Sequence, residues 1–262
     1  AGLVPAEAVG KELMHRWSPP TARLRWQNFL LETDQGERIP IFGYLWHSNR
    51  LPKPCQRYVV VMLATAALGA TFTSCSPDFG IQAVSERFGQ IEPTILLVAD
   101  GYHYGGKYFN GLPKVQQLLE HLPSIQHTLI VPYSGRLIDL KNVRNAVLWE
   151  GVGNSTEPIE YLQFPFDHPL YILYSSGTTG KPKCIVHGAG GTLLQHLKEH
   201  RLHTDLKSNE RLFYFTTCGW MMWNWLVGGL ASGAAIVLYD GSPMEPAADS
   251  LFQLVDDLEI SV

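Results

Sequence analysis

From residue 56 onward, short apolar runs alternate with longer segments of helical period, and this alternation limits the fold more than any other feature. Strands short enough to cross one sheet, interleaved with helices, predict a layered α/β fold with a mainly parallel sheet. The expected elements are a helix at 56–68 and a strand at 70–73. A helix at 79–88 follows, with Ser76 as its cap and Pro77 in its first turn. Next come a strand at 94–99, a helix at 111–121 and a strand at 126–131. The helix presents Val115, Leu118, Leu119 and Leu122 on one side. Residues 134–167 lack a sustained period and read as connections and short elements. Strands at 170–175 and 184–187 lead into a helix whose apolar side is Leu193, Leu194 and Leu197. A strand at 212–217, a helix at 223–230, a strand at 235–239 and a helix at 249–258 complete the pattern. The last residues, 260–262, look like the opening of another strand.

A chain of 262 residues can bury up to roughly 75% of its unfolded surface. A net charge of −4 with interspersed signs gives no basic face for nucleic acid. The apolar run 58–72 is shorter than the roughly 20 residues a bilayer needs. The start of the chain carries no secretory pattern. The four cysteines, Cys55, Cys75, Cys184 and Cys218, have no paired spacing. They read as buried thiols, which suits a reducing, cytosolic location.

Between the strands at 170–175 and 184–187 lies a turn of unusual composition: Ser175, Ser176, Gly177, Thr178, Thr179, Gly180, Lys181, Pro182 and Lys183. Glycines let backbone N–H groups converge, hydroxyls add donors, and lysines add positive charge, an inventory that suits a phosphate chain. It is not the G-x-x-x-x-G-K-[ST] loop, because the first glycine position holds Ser175 and Pro182 follows Lys181. Pro182 also steers Lys181 away from helical angles, so the turn should run into a strand. A surface hairpin rich in turn formers is the plainer reading of the same residues.

Other constellations are weaker. The stretches at 151–156 and 188–193 place Thr156 and Leu193 where a dinucleotide fingerprint needs its third small residue. His196, His200 and His203 share one helix face, for which a solvent-facing or capping role is favoured over a metal site. His187 ends the strand that leaves the turn and is a candidate for the cleft wall. The stretch GWMMWNW, 219–225, reads either as core or as the wall of a small-acid pocket. In the second reading Trp220 and Trp223 supply flat apolar surface and Asn224 the polar handle.

The segment Ser176 to Lys183 matches S-G-T-T-G-x-P-K throughout and resembles the phosphate loop of the adenylate-forming enzymes. Within that group, the stretches at 74–93, 168–200 and 216–243 resemble the acetoacetyl-CoA synthetases. The resemblance covers roughly 57–262, a partial adenylation domain, and follows 1–56 only patchily, mainly at 36–45. It implies the α/β architecture of part of the family's large N-terminal domain. The implied function is an acid–thiol ligase that activates acetoacetate with ATP and Mg²⁺, through acetoacetyl-AMP, and passes the acyl group to coenzyme A. It also implies that Ser175, Ser176, Gly177, Thr178, Thr179, Gly180 and Lys183 hold the phosphates, and that Trp220, Trp223, Asn224 and His187 face the acyl pocket. The family's adenine block, ribose aspartate and catalytic lysine have no counterpart here, so no catalytic residue and no metal ligand is assigned. The partners expected are these small molecules, with neither nucleic acid nor membrane. The alternative is a non-catalytic nucleotide- or phosphate-binding module or pseudoenzyme.

Overall fold

The computed structural model describes residues 2–4, 41–44, 53–77, 79–105, 107–149, 162–175, 180–239 and 241–262. Its frame is a seven-stranded sheet ordered β10-β9-β3-β2-β4-β7-β8. The strands are β2 (Ile41–Tyr44), β3 (Phe72–Cys75), β4 (Ile95–Ala99), β7 (His127–Val131), β8 (Ala146–Leu148), β9 (Pro169–Tyr174) and β10 (Cys184–Gly188). Every neighbouring pair is parallel except β9 with β10, which is antiparallel. The α/β class and the mainly parallel sheet expected from the sequence are therefore those of the protein.

The central strand β4 is buried at all five positions, which is why it reads as an unbroken apolar run rather than an alternating one. Its side chains still divide by the two-residue period. Ile95 and Leu97 join the core that holds Tyr58, Val59, Val61 and Met62 of helix α1 (Lys53–Ala67). Leu96 and Val98 join the opposite core, with Val84 and Phe88 of α2 (Ile81–Phe88) and Val115, Leu118 and Leu119 of α3 (Leu112–His121). Helices thus cover both faces of the sheet.

The first core continues into a second layer. It takes in Trp223, Leu226 and Val227 of α5 (Met221–Gly228) and Leu212, Ile236 and Leu238 of a three-stranded sheet. That sheet is ordered β1-β12-β11, from Gly2–Val4, Ala235–Leu238 and Arg211–Phe213. Its β11 side is extended by the last residues, as expected from 260–262. The Val262 N–H donates to the Arg211 carbonyl at 3.2 Å, and the Phe213 N–H donates to the Val262 carbonyl at 2.9 Å.

Several local expectations differ from the structure. Ser76 does not cap α2, which starts at Ile81 after Gly80 with no side-chain cap. β5 (Gly101–Tyr104) and β6 (Lys107–Asn110) pair antiparallel, with Tyr102 and Phe109 stacked at 4.5 Å. The strand expected at 212–217 ends at Phe213. The helix after β10, α4 (Ala189–Lys198), exposes Leu193 and Leu194 and buries His196 instead. The helix expected at 223–230 begins two residues earlier and tightens into a 3₁₀ turn, Gly229–Ser232.

Candidate functional site

The parallel strands β3 and β9 pair from the start of β3, Phe72 with Tyr171 and Thr73 with Ile172, and so run on toward the same end of the sheet. In open α/β sheets this end of the strands is where ligands collect. Two segments leave or reach that end: the turn that follows β9 and the stretch before α5, which is bonded to the end of β3.

The turn is held at its base. The Ser175 N–H donates to the Lys183 carbonyl, and the Lys183 N–H donates to Ser175 Oγ, both at 3.0 Å. Ser175 therefore closes the hairpin with its lone pairs and keeps its own hydroxyl proton to donate. From the side, Gln90 Nε2 donates to the Pro182 carbonyl at 2.9 Å, tying the buried proline to the end of α2. Gly180 has φ +147°, a backbone angle that side chains disfavour, and is exposed. Lys181 and Lys183 are exposed as well. Two exposed ammonium groups, a free hydroxyl donor and a pinned hairpin base fit an anionic polyphosphate. Ser176, Gly177, Thr178 and Thr179 lie outside the described residues.

The second segment is stitched to the end of β3. Ser74 Oγ donates to the Cys218 carbonyl at 2.7 Å, and the Cys218 thiol lies 3.5 Å from the Cys75 carbonyl. A side chain at Gly219 would come within 2.9 Å of the Ser76 nitrogen, so only glycine lets the two chains pass this closely. Beyond it, Trp220 is 60% exposed, whereas Trp223 is buried and stacks on Phe72 with ring centroids 6.4 Å apart. Asn224 is 1% exposed, and neither its amide nitrogen nor its carbonyl oxygen has a hydrogen-bond partner. A fully buried amide with both ends unpaired is costly and rare, so it marks a place where a polar ligand atom or water belongs.

The histidines form a seam between the β9–β10 pair, α4 and α5. His187 on β10 lies 5.1 Å from the Tyr171 ring, and burial lowers its pKa. His196 is lowered to about 4, first by burial and then by the neighbouring His200. His200 is fully buried on a π-helical turn, Glu199–His203, which continues α4. Its Nε2 lies 2.9 Å from the Trp225 carbonyl, its ring centroid 4.2 Å from that of Trp225, and its Nδ1 has no partner. Burial lowers its pKa also. The solvent-facing role expected for His196 and His200 is thus replaced by core packing, while His203 is exposed. Among the described residues no three of His, Cys, Asp or Glu gather as metal ligands. Likewise, among the described residues no helix is long and apolar enough to cross a membrane.

The structure therefore brings Ser175, Gly180 and Lys183 to one sheet edge, and Cys218 and Gly219 to the end of the neighbouring strand β3, while Trp223 packs on Phe72 at that strand's start. What the sequence did not reveal is the burial of His196 and His200. The available signal was the pair Gly228-Gly229 in an otherwise bulky apolar helix, which implies that something large lies against it.

The match to the family of known proteins follows the same segments. The model of the family described as "AMP-binding enzyme" matches residues 52–262. The chain belongs to the AMP-binding enzyme family. Acetoacetyl-CoA synthetase of Gallus gallus is 48% identical over 234 residues, covering 87% of this chain and 34% of that protein. Acetoacetyl-coenzyme A synthetase of Rhizobium meliloti (strain 1021) is 55% identical over 197 residues, covering 74% of this chain and 30% of that protein. Among solved structures, acetoacetyl-CoA synthetase from Streptomyces lividans superposes with a TM-score of 0.79 at 42% identity, over 91% of this chain and 36% of that one. Within the AMP-binding enzymes, then, this chain is similar to acetoacetyl-CoA synthetases, and it spans about a third of the length of the relatives it matches.

Proposed function

We propose that this chain carries the phosphate-binding and acyl-binding part of an acid–thiol ligase acting on acetoacetate. The observation that supports it most is that the base of a hairpin suited to polyphosphate follows β9 while the Cys218–Gly219 segment is stitched to the end of β3, with an unpaired buried amide on the helix that follows it. The similarity to acetoacetyl-CoA synthetases supports the choice of acid.

In this reading a carboxylate oxygen of acetoacetate attacks the α-phosphorus of ATP, and pyrophosphate leaves. The coenzyme A thiolate then attacks the acyl carbon of acetoacetyl-AMP, and AMP leaves. No protein nucleophile takes part, so the chain contributes position and charge. Ser175 and Ser176, the backbone of Gly177 and Gly180, and the hydroxyls of Thr178 and Thr179 donate to the β- and γ-phosphates. Lys183 brings an ammonium beside them. Mg²⁺, carried by the phosphates, offsets the charge that remains. Trp220 bounds a short acyl pocket, Trp223 backs it from the core, Asn224 donates to the keto oxygen, and His187 closes the side toward β10. The portion concerned is 57–262, with β2 lent to its sheet by the segment before it. The test is exchange of labelled pyrophosphate into ATP by the protein as its gene encodes it. Exchange that depends on acetoacetate supports the reading. Exchange that ignores the acid, or none at saturating ATP, overturns it.

A further inference from the structure

The contact between α4 and α5 has a geometry that reaches the acyl wall. A Cβ placed on Gly228 would lie 2.4 Å from His196 Nδ1, 3.0 Å from its Cγ and 3.1 Å from its Cβ. Those distances span the imidazole down to its attachment point, so a rotation of the ring alone cannot make room. The ring has nowhere to go, because His196 is 8% exposed and the His200 ring lies 6.3 Å away, itself fully buried against Trp225. The next residue repeats the constraint: a Cβ on Gly229 would meet Leu212 Cδ2 at 2.7 Å and His200 Cε1 at 3.7 Å. Two histidines one turn apart, His196 on α4 and His200 on the π-helical turn that continues it, thus rest on two adjacent glycines, the last of α5 and the first of the 3₁₀ turn after it. Asn224 precedes Gly228 by one helical turn and shares its face. Any displacement of α5 at Gly228 is carried to Asn224 by the helix, because packed interiors shift as bodies rather than deform smoothly.

We propose that His196 is a positioning residue: seated on Gly228, it fixes the depth of α5 against α4 and so places the Asn224 amide for the acyl group. The proposal rests on the reading of Asn224 as the polar handle of the pocket. It differs from a role in stability, since it concerns where one amide stands rather than whether the helices pack. Acid selection follows from that position. A site built to hydrogen-bond a keto oxygen discriminates strongly only while its donor stays within bonding distance.

The experiment uses Gly228→Ala, His196→Ala and the double variant in the protein as its gene encodes it. The side-chain amide resonance of Asn224 is followed by NMR, and the ratio of kcat/KM for acetoacetate over butyrate is measured alongside. Gly228→Ala is expected to shift the Asn224 resonance and to lower the ratio about tenfold. In the double variant the added methyl fills space vacated by the ring, and both readouts are expected to return toward wild type. Thermal midpoints are recorded separately, since a structural role alone moves the midpoint and leaves the ratio unchanged. If Gly228→Ala does not fold, His196→Ala still decides: a shifted Asn224 resonance supports the proposal. An Asn224 resonance unmoved in every folded variant overturns it. Asn224→Leu separates the two readings. If that variant leaves the acid ratio unchanged, the pocket assignment fails. If it lowers the ratio while Gly228→Ala does not, only the positioning role fails.

Discussion

The hairpin β9–β10 and the α4–α5 seam that follows it in the chain are built on opposite principles. The hairpin is held by backbone pairing and by the two Ser175–Lys183 bonds, and its charged residues stand in solvent. The seam is held by side chains fitted to glycines, and its polar groups are buried. A residue on the hairpin can therefore change without disturbing the fold, whereas a ring packed in the seam, such as Trp223, cannot.

The largest effect is expected in the seam. Trp223→Ala removes the ring stacked on Phe72 and should cost about 3–5 kcal/mol of stability by cavity formation. Denaturant titration checks it, and a loss below about 1 kcal/mol would mean that the ring is not a core element.

Acid should act on the seam next. His196 and His200 have folded pKa values below the unfolded value of 6.5, with His196 at about 4, because burial disfavours their charged forms. The unfolded state then binds more protons, so stability is fully present above the unfolded pKa. It should fall as pH drops from 6.5 toward 4, and His196 should contribute no further loss below that. Melting curves across this range should flatten in a His196→Gln variant. An equal slope in both proteins would place the loss elsewhere.

On the hairpin, Lys183→Ala or Thr178→Ala should weaken the use of ATP by about 1.5–3 kcal/mol, the usual worth of a charge-assisted bond. The exposed Lys183 change should leave the melting midpoint nearly unmoved. A drop in stability that matched the loss of activity would erase the contrast between the two arms.

The smallest net effect is the most diagnostic. Asn224→Leu removes two buried unpaired polar atoms, so stability should hold or rise by about 1–3 kcal/mol while acetoacetate selection is lost. Stability lost together with selection would show that the amide has partners in the folded protein.

The two regions also differ in how much their sequence reveals. The hairpin was legible because its signals are local. Apolar runs flank a glycine–hydroxyl–lysine turn, and Pro182 ends it, so the strands and the link between them follow from neighbours in the chain. The same holds for β4 and for α3, whose Val115, Leu118 and Leu119 are buried as their spacing requires. The seam was not legible because its meaning lies in a tertiary fit. The sequence around Leu193 and Leu194 suggested an apolar face, yet α4 turns His196 inward, since Gly228 offers a recess that accepts a ring. Ser76 looked like a helix cap because serine before proline usually is one. In the structure it is buried at the strand end, against the chain at Gly219, and α2 starts five residues later. Likewise β5–β6 escaped notice because its strands are aromatic rather than aliphatic.

One measurement reaches the central claim, that two separately built arms divide the recognition of ATP and acid. Pyrophosphate exchange into ATP is followed in wild type, Lys183→Ala and Asn224→Leu, with acetoacetate and butyrate each varied against ATP. The expected result is a raised KM for ATP with an unchanged acid ratio in Lys183→Ala, and a lowered acetoacetate-to-butyrate ratio with an unchanged KM for ATP in Asn224→Leu. If both variants move the same constant, or if wild type shows no exchange with acetoacetate, the division of labour between the hairpin and the seam is wrong.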